Sequence, residues 1–306
     1  MIQIRLIGTP RPRDWSHAEV VFDPDIPALE ADGLLCWGHG TDELVRFAGQ
    51  KGWYYPEPRR FSLRRARHFR EMLRHLRADE FLHFSNPERT FAYPVATHYD
   101  VSPARFDEAR RDEIVAIVSN FGGNLWWLNA GARRRNAFLL QPQVSLFGSP
   151  GSWAQFRQFP WSRPHAPANF RGPWGEPGLD WYMEDHVRAL ARYRYTLCLE
   201  NSSEPHYFTE KFVNACRAGC VPIYHAHPTV RDGVLCGALW IDPADHGFDP
   251  ARTFAAARVA DAGRIVAANL EWLQSEPVRD TNGFRIWTRI ADHFATRLRA
   301  RRAVNA

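Results

Sequence analysis

Lysine is nearly missing from this chain. Among 39 basic residues, Lys51 and Lys211 are lysine and every other one is arginine. An ammonium is a compact point charge and a guanidinium a planar fork, so a lysine kept in an arginine background marks a place where the compact cation fits. Long apolar runs are missing too. No stretch approaches the ~20 apolar residues that cross a bilayer, and the opening MIQIRLIG alternates like a short strand, without the charged start and apolar run of a secretory signal. Cysteine is sparse and odd in number (Cys36, Cys198, Cys216, Cys220 and Cys236) and sits in apolar segments. That excludes a disulfide framework and predicts reduced thiols in a core. No repeat at solenoid spacing occurs. A soluble, intracellular, globular chain is expected.

What is present points to two α/β domains. The chain has 306 residues, 45% hydrophobic and 24% charged, which is enough for two cores without a disordered or collagen-like bias. Twelve Trp and twenty Phe belong first to packing, although aromatic faces also stack on sugars and bases. The net charge of +5 suits any anionic ligand and does not choose between a nucleotide and a nucleic acid. Residues 62–78 read as a helix with Leu63, Ala66, Phe69, Met72, Leu73 and Leu76 on one stripe. Its arginines lack interleaved aromatics and read as a solvated face, so nucleic-acid binding is not expected.

Strands are predicted at 2–7, 33–37, 52–55 and 81–84, giving a first domain over 1–104. A polar, Pro-punctuated stretch at 105–112 reads as the linker, and the second domain runs over 113–306 from a strand at 113–119. There, a helix opens at Arg133 and a strand follows at 144–148. Residues 150–181 form an irregular Pro- and Trp-rich loop, too long to be idle inside a compact domain, and read as the border of a cleft. A strand at 238–241 and helices near 253–257, 262–274 and 284–301 complete the pattern.

The most informative stretch is YRYTLCLENSSEPHYFTEKFVNACRAGCVPIY, 193–224. A buried strand gives way to turn residues 200–205, then to a helical period over 207–217 with Phe212, Ala215, Cys216 and Gly219 on one face, then to a strand at 221–224. Asn201, Tyr207, Glu210 and Lys211 therefore gather at a strand's carboxyl end and a helix's amino end. Unpaired N–H groups and the helix dipole attract phosphate at such a place in a doubly wound sheet.

ENSxxxxYxTEK followed by AxxAGxVPIY resembles the signature of glycosyltransferase family 10, the α-1,3/1,4-fucosyltransferases, in its soluble bacterial branch. The resemblance implies the GT-B fold, two facing Rossmann-like domains with a cleft between them, in which the last helix is a candidate to pack back on the first domain. It also implies an inverting transfer of fucose from GDP-fucose to a hydroxyl of an acceptor glycan, in the cytoplasm, with no metal and no cofactor beyond the donor. On that pattern Tyr207 and Glu210 grip the guanosine and ribose, Lys211 and Arg135 neutralise the diphosphate, and Asn201 orders the loop or meets the donor. Arg134 competes with Arg135 for the role of the family's arginine three residues before a Phe. WYYPEP (Trp53 to Pro58) resembles the aromatic strand end that carries the catalytic base, which makes Glu57 the base. Here Pro56 and Pro58 stand where the family has Gly and Asn, with Glu88, His98 and Asp100 in reserve. His225 and Ala226 also depart from the pattern, leaving the donor sugar open. A transferase using another GDP-sugar and a binding module that has lost catalysis are the alternatives.

Two further constellations read as structural. Cys216, Cys220, His225 and His227 match no common zinc spacing. Asp23-Pro24-Asp25 mimics a metal-binding Asp-x-Asp but is explained by a turn with two acids.

Overall fold

Short apolar runs of four to eight residues, separated by turn residues and amphipathic helical periods, favour parallel strands covered on both faces. The computed structural model describes residues 1–9, 15–38, 40–55, 63–77, 79–83, 103, 110–118, 130–148, 166–173 and 184–305. Two units emerge: Met1–Ala96 with Thr281–Ala306, and Thr97–Asp280. Each carries one five-stranded parallel sheet, so the expected pair of Rossmann-like α/β units is present.

The first unit orders its strands β2-β1-β3-β4-β5, with β1 at Ile2–Ile7, β2 at Val20–Asp23, β3 at Gly33–Trp37, β4 at Gln50–Tyr54 and β5 at Phe81–Leu82. On one face Leu34, Cys36, Trp53, Tyr55 and Phe81 cluster with Leu44 of helix α1 (Asp42–Arg46) and with Phe69 and Met72 of α2 (Leu63–Arg74). The other face, with Ile4, Leu6, Phe22, Leu35 and Tyr54, is covered by the final helix, Gly283–Asn305, through Ile286, Trp287, Ile290, Phe294 and Leu298. These positions recur at three and four residues, so they share one stripe. Gly52 supplies the room: a Cβ there would lie 3.1 Å from the Phe294 ring. Ion pairs of Arg299 with Glu19 and Arg302 with Asp32, each 2.7 Å, flank the apolar seam.

Strand β2 was not foreseen, because its end was read only as a turn. That turn is real: Asp25 N–H donates to Asp23 Oδ1 at 2.8 Å, the local carboxylate-to-backbone bond that makes Asp a turn residue.

The second unit contains β6 (Arg111–Val118), α3 (Ala130–Leu139), β7 (Val144–Gly148), β8 (Phe170–Pro173), α4 (Glu184–Ala191), β9 (Tyr193–Leu197), α5 (Glu210–Arg217) and β10 (Val221–Ile223). After them come α6 (Pro228–Arg231), a 3₁₀ turn Pro243–His246, α7 (Pro250–Val259), α8 (Ala262–Trp272) and α9 (Glu276–Arg279). The strand order is β10-β9-β6-β7-β8. Counted from its own first strand, the sheet grows outward one way through β7 and β8 and the other way through β9 and β10. The direction of winding therefore reverses between β6 and β9, and such a switch point leaves a crevice at the strands' carboxyl ends.

The strand predicted at 238–241 is reduced to a single bridge between Ile223 and Ile241. The reason is local: the side-chain amide of Asn269 both accepts from Leu239 N–H and donates to Leu239 C=O, each at 2.8 Å, so those backbone groups are taken by α8 rather than by a ladder. Conversely, β8 lies inside the stretch read as irregular. Among the described residues no helix is long and apolar enough to cross a membrane.

Candidate functional site

Strand β9 delivers Cys198, Leu199 and Glu200 to its carboxyl end. Helix α5 starts at Glu210, not at Tyr207, because Thr209 is extended (φ −124°, ψ 178°) and caps it, its hydroxyl accepting from Lys211 N–H at 3.4 Å. Glu210 in the first turn complements the positive end of the dipole. The helix stops at Gly219, which lies beyond the helix rather than on its face. With φ +65° it takes the left-handed turn that lets Cys220 N–H reach back to Ala215 C=O at 3.0 Å.

Glu200 is the hub of this junction. Its buried carboxylate accepts from Thr209 N–H (2.9 Å), Thr209 Oγ1–H (2.8 Å) and Tyr224 O–H (3.0 Å), and faces Lys211 Nζ at 3.4 Å. Burial pushes its pKa upward, while Lys211 and the Thr209 donors pull it back. Lys211 Nζ also stands 3.6 Å from Glu210. Two carboxylates thus hold the lysine at the helix start, which offsets the unfavourable placing of a cation at the positive end of the dipole.

Across the switch point, α3 carries Arg135, whose buried guanidinium donates to the Asn201 side-chain carbonyl. Burial lowers its pKa to about 10, against the pull of Tyr207 and Glu200, so it stays cationic at neutral pH. Beside this contact opens a cavity of about 340 Å³ bordered by Arg134, Arg135, Ser202, Ser203, His225 and Phe248. Arg134 stacks over the Phe248 ring at 4.7 Å from its centroid. The cavity therefore joins two guanidinium groups with hydroxyls, one imidazole and the Glu200 carboxylate; that carboxylate is already engaged by Thr209, Tyr224 and Lys211, and the lining suits an anionic, hydroxyl-bearing ligand.

Arg135, from a distant part of the sequence, joins Asn201, Tyr207, Glu210 and Lys211 of the motif around one strand end. They divide into two clusters. Arg135 and Asn201 meet at the cavity, while Lys211 borders a separate small void with His186, Thr196 and Cys198. Tyr207 is buried just before α5. Glu57, the expected base, lies outside the described residues, as do Glu88, His98 and Asp100. Sequence reasoning passed over Glu200 as turn chemistry. A carboxylate directly following a buried strand and beside a lysine-bearing helix start was the available signal. Phe248 carried none, since its role depends on a φ of 56°.

Three of the four side chains weighed for zinc go to different partners. Cys220 Sγ meets the Leu190 and Tyr193 carbonyls (3.2 and 3.3 Å), His225 meets Asp242, and His227 caps α6 through Thr229 N–H. Among the described residues no group of three or more His, Cys, Asp or Glu is arranged to hold a metal ion.

Comparison with known proteins matches residues 174–242 to the model "Glycosyltransferase family 10 (fucosyltransferase) C-term". A 51-residue stretch is 37% identical to Alpha-(1,3)-fucosyltransferase B of Drosophila melanogaster, covering 17% of this chain and 12% of that protein. Another, of 68 residues, is 34% identical to GDP-fucose protein O-fucosyltransferase 3 of Rattus norvegicus, covering 22% and 13%. The chain thus spans about an eighth of the length of these relatives. Among solved structures it is similar to an alpha1,3-fucosyltransferase crystallised with GDP, at 12% identity and a TM-score of 0.46 over 96% of this chain and 90% of that one. The matched segment, 174–242, contains β9, the Glu200 hub and the Lys211 helix start, and is similar to the C-terminal region of glycosyltransferase family 10 (fucosyltransferase).

Proposed function

We propose that this protein is an inverting glycosyltransferase that moves fucose from GDP-fucose to a hydroxyl of an acceptor glycan. The observation that carries the reading is the cavity at the β6/β9 switch point, where a buried arginine from α3 and the family motif after β9 converge. Doubly wound sheets bind nucleotides at that place, and the cation set matches a diphosphate. The family match of the motif segment, and relatives whose names specify fucosyl transfer, support the same donor.

In this reading Arg135, with Arg134 beside it, faces the diphosphate. Lys211 is a second cation, for which an incoming phosphate competes with Glu200 and Glu210. Tyr207 and Glu210 hold the nucleoside, and Asn201 fixes the loop against Arg135. The acceptor hydroxyl gives its proton to Glu57 and attacks the anomeric carbon from the face opposite the leaving group. The bond from that carbon to the phosphate oxygen breaks, and the electron pair leaves on GDP. Charge therefore grows on the diphosphate while the sugar becomes oxocarbenium-like, and protein cations already in place stabilise it without reorganisation. They supply by themselves the compensation that a divalent ion provides in other transferases, so the reaction runs without a metal.

The test is protection against heat unfolding by a panel of nucleotides and nucleotide sugars, followed by GDP release with and without acceptor glycans. GDP at a hundredfold excess over its Kd stabilises by ~2.7 kcal/mol, a melting-point rise of roughly 5–10 °C for a unit of this size. Stronger protection by a GDP-sugar other than GDP-fucose reassigns the sugar. Protection without turnover on any acceptor leaves a binding module, and no protection by GDP ends the reading.

A further inference from the structure

One wall of the cavity is built by residues outside the family motif. His225 leaves β10 and borders the cavity, with Nδ1 at 2.9 Å from Asp242 Oδ1. That carboxylate is itself fixed, because it caps the 3₁₀ turn by accepting from Ala244 N–H at 2.9 Å. The imidazole edge meets the Phe248 ring at 4.9 Å and 83°. Phe248 adopts φ 56°, a left-handed conformation that a bulky residue takes only where its surroundings over-determine it. Ring and carboxylate together leave the imidazole little freedom to turn.

A carboxylate can only accept, so Nδ1 carries the hydrogen, and in the neutral ring Nε2 is left as an acceptor. A ring acceptor in a lining that also holds the Arg134 and Arg135 guanidinium groups, the Ser202 and Ser203 hydroxyls and the Glu200 carboxylate is poorly matched to a phosphate oxygen and well matched to a hydroxyl. We infer that the Asp242-fixed His225 is a specificity residue whose Nε2 accepts a hydrogen bond from a sugar hydroxyl of the bound nucleotide sugar. This rests on the reading of the cavity as the donor site, and it identifies what the positions departing from the family pattern do. Two hydroxyl sources are available, the ribose and the transferred sugar, and GDP against GDP-fucose separates them.

The experiment measures Kd for both ligands by calorimetry with the wild type and with His225→Phe, His225→Gln and Asp242→Asn. His225→Phe keeps a ring against Phe248 but removes the acceptor. Asp242→Asn keeps Oδ1, the atom that accepts from both Nδ1–H and Ala244 N–H, so it leaves the tautomer in place. His225→Phe is expected to weaken GDP-fucose binding about tenfold, the size of one neutral hydrogen bond, His225→Gln, with an amide oxygen near the same place, to lose less, and Asp242→Asn to stay near wild type. GDP binding left unchanged assigns the contact to the transferred sugar, and an equal loss for GDP assigns it to the ribose. Wild-type affinity for both ligands in His225→Phe overturns the inference, as does a loss in His225→Gln as large as that in His225→Phe. Failure of the wild type to bind either ligand strikes the donor-site reading instead. Melting points of the ligand-free variants, expected close to wild type, show that a loss of binding is not a loss of fold.

Discussion

Lys211 and Glu200 set the chemistry at the scale of single residues. Lys211→Ala is expected to lower turnover by ~10²-fold or more, because a cation aimed at developing charge is worth that much. GDP release under saturating donor and acceptor reads it, and near-normal turnover would remove Lys211 from the proposal. Glu200 has its pKa raised above the usual 4.5 by burial. The unfolded chain ionises first as pH rises, so this group's contribution is complete below about pH 4.5 and declines as pH climbs toward its higher native value. Denaturation at a series of pH values should show wild type losing stability relative to Glu200→Gln across that window, and a difference that grows with pH would contradict the raised value. At this scale the residue types were legible and their pairings were not. The motif named Arg135 and Asn201 separately, and only the fold brings positions 66 apart in sequence into one hydrogen bond. Glu200 was visible as a letter, but its three partners are the cap of α5, the second residue of α5 and the residue that follows β10.

At the scale of elements, the start of α5 is the point of control. Thr209 caps the helix, donates twice to Glu200 and stands 3.0 Å from Lys211 Nζ. Thr209→Ala should cost ~1–2 kcal/mol and loosen Lys211, whereas Thr209→Ser should stay within ~0.5 kcal/mol. Urea unfolding of the pair checks this, and equal losses would show that the hydroxyl is not what matters. Strand positions were legible because buried parallel strands are short apolar runs between turn residues, and β1, β3 and β7 fall at their predicted bounds. Helix starts were not, since Tyr207 continues an apolar period that the capping geometry of Thr209 cuts off. The strand at 238–241 failed for a similar reason, a competing side chain from α8 that no local pattern displays.

Over the whole molecule, the reading of cysteines as core thiols holds for four of the five. Cys36, Cys198, Cys216 and Cys220 are buried, and burial raises the pKa of each; Cys236 is exposed. A thiol reagent should label Cys236 alone in the native protein and the other four only on unfolding. Prompt labelling of more than one would mean that a core opens. The two-sheet α/β class was legible from alternation alone. The return of the final helix to the first sheet is a matter of topology; the resemblance implied it and no local pattern displays it.

That return has a consequence for how the protein is made. As the ribosome works from the amino end, the first sheet emerges with Ile4, Leu6, Phe22 and Leu35 uncovered, and their cover, residues 283–305, is translated only after the second unit. At ~5–20 residues per second the whole of the second unit is synthesised while that greasy face waits. The nascent chain is therefore a natural client for a holding chaperone, and the later-made unit is the first that can finish folding.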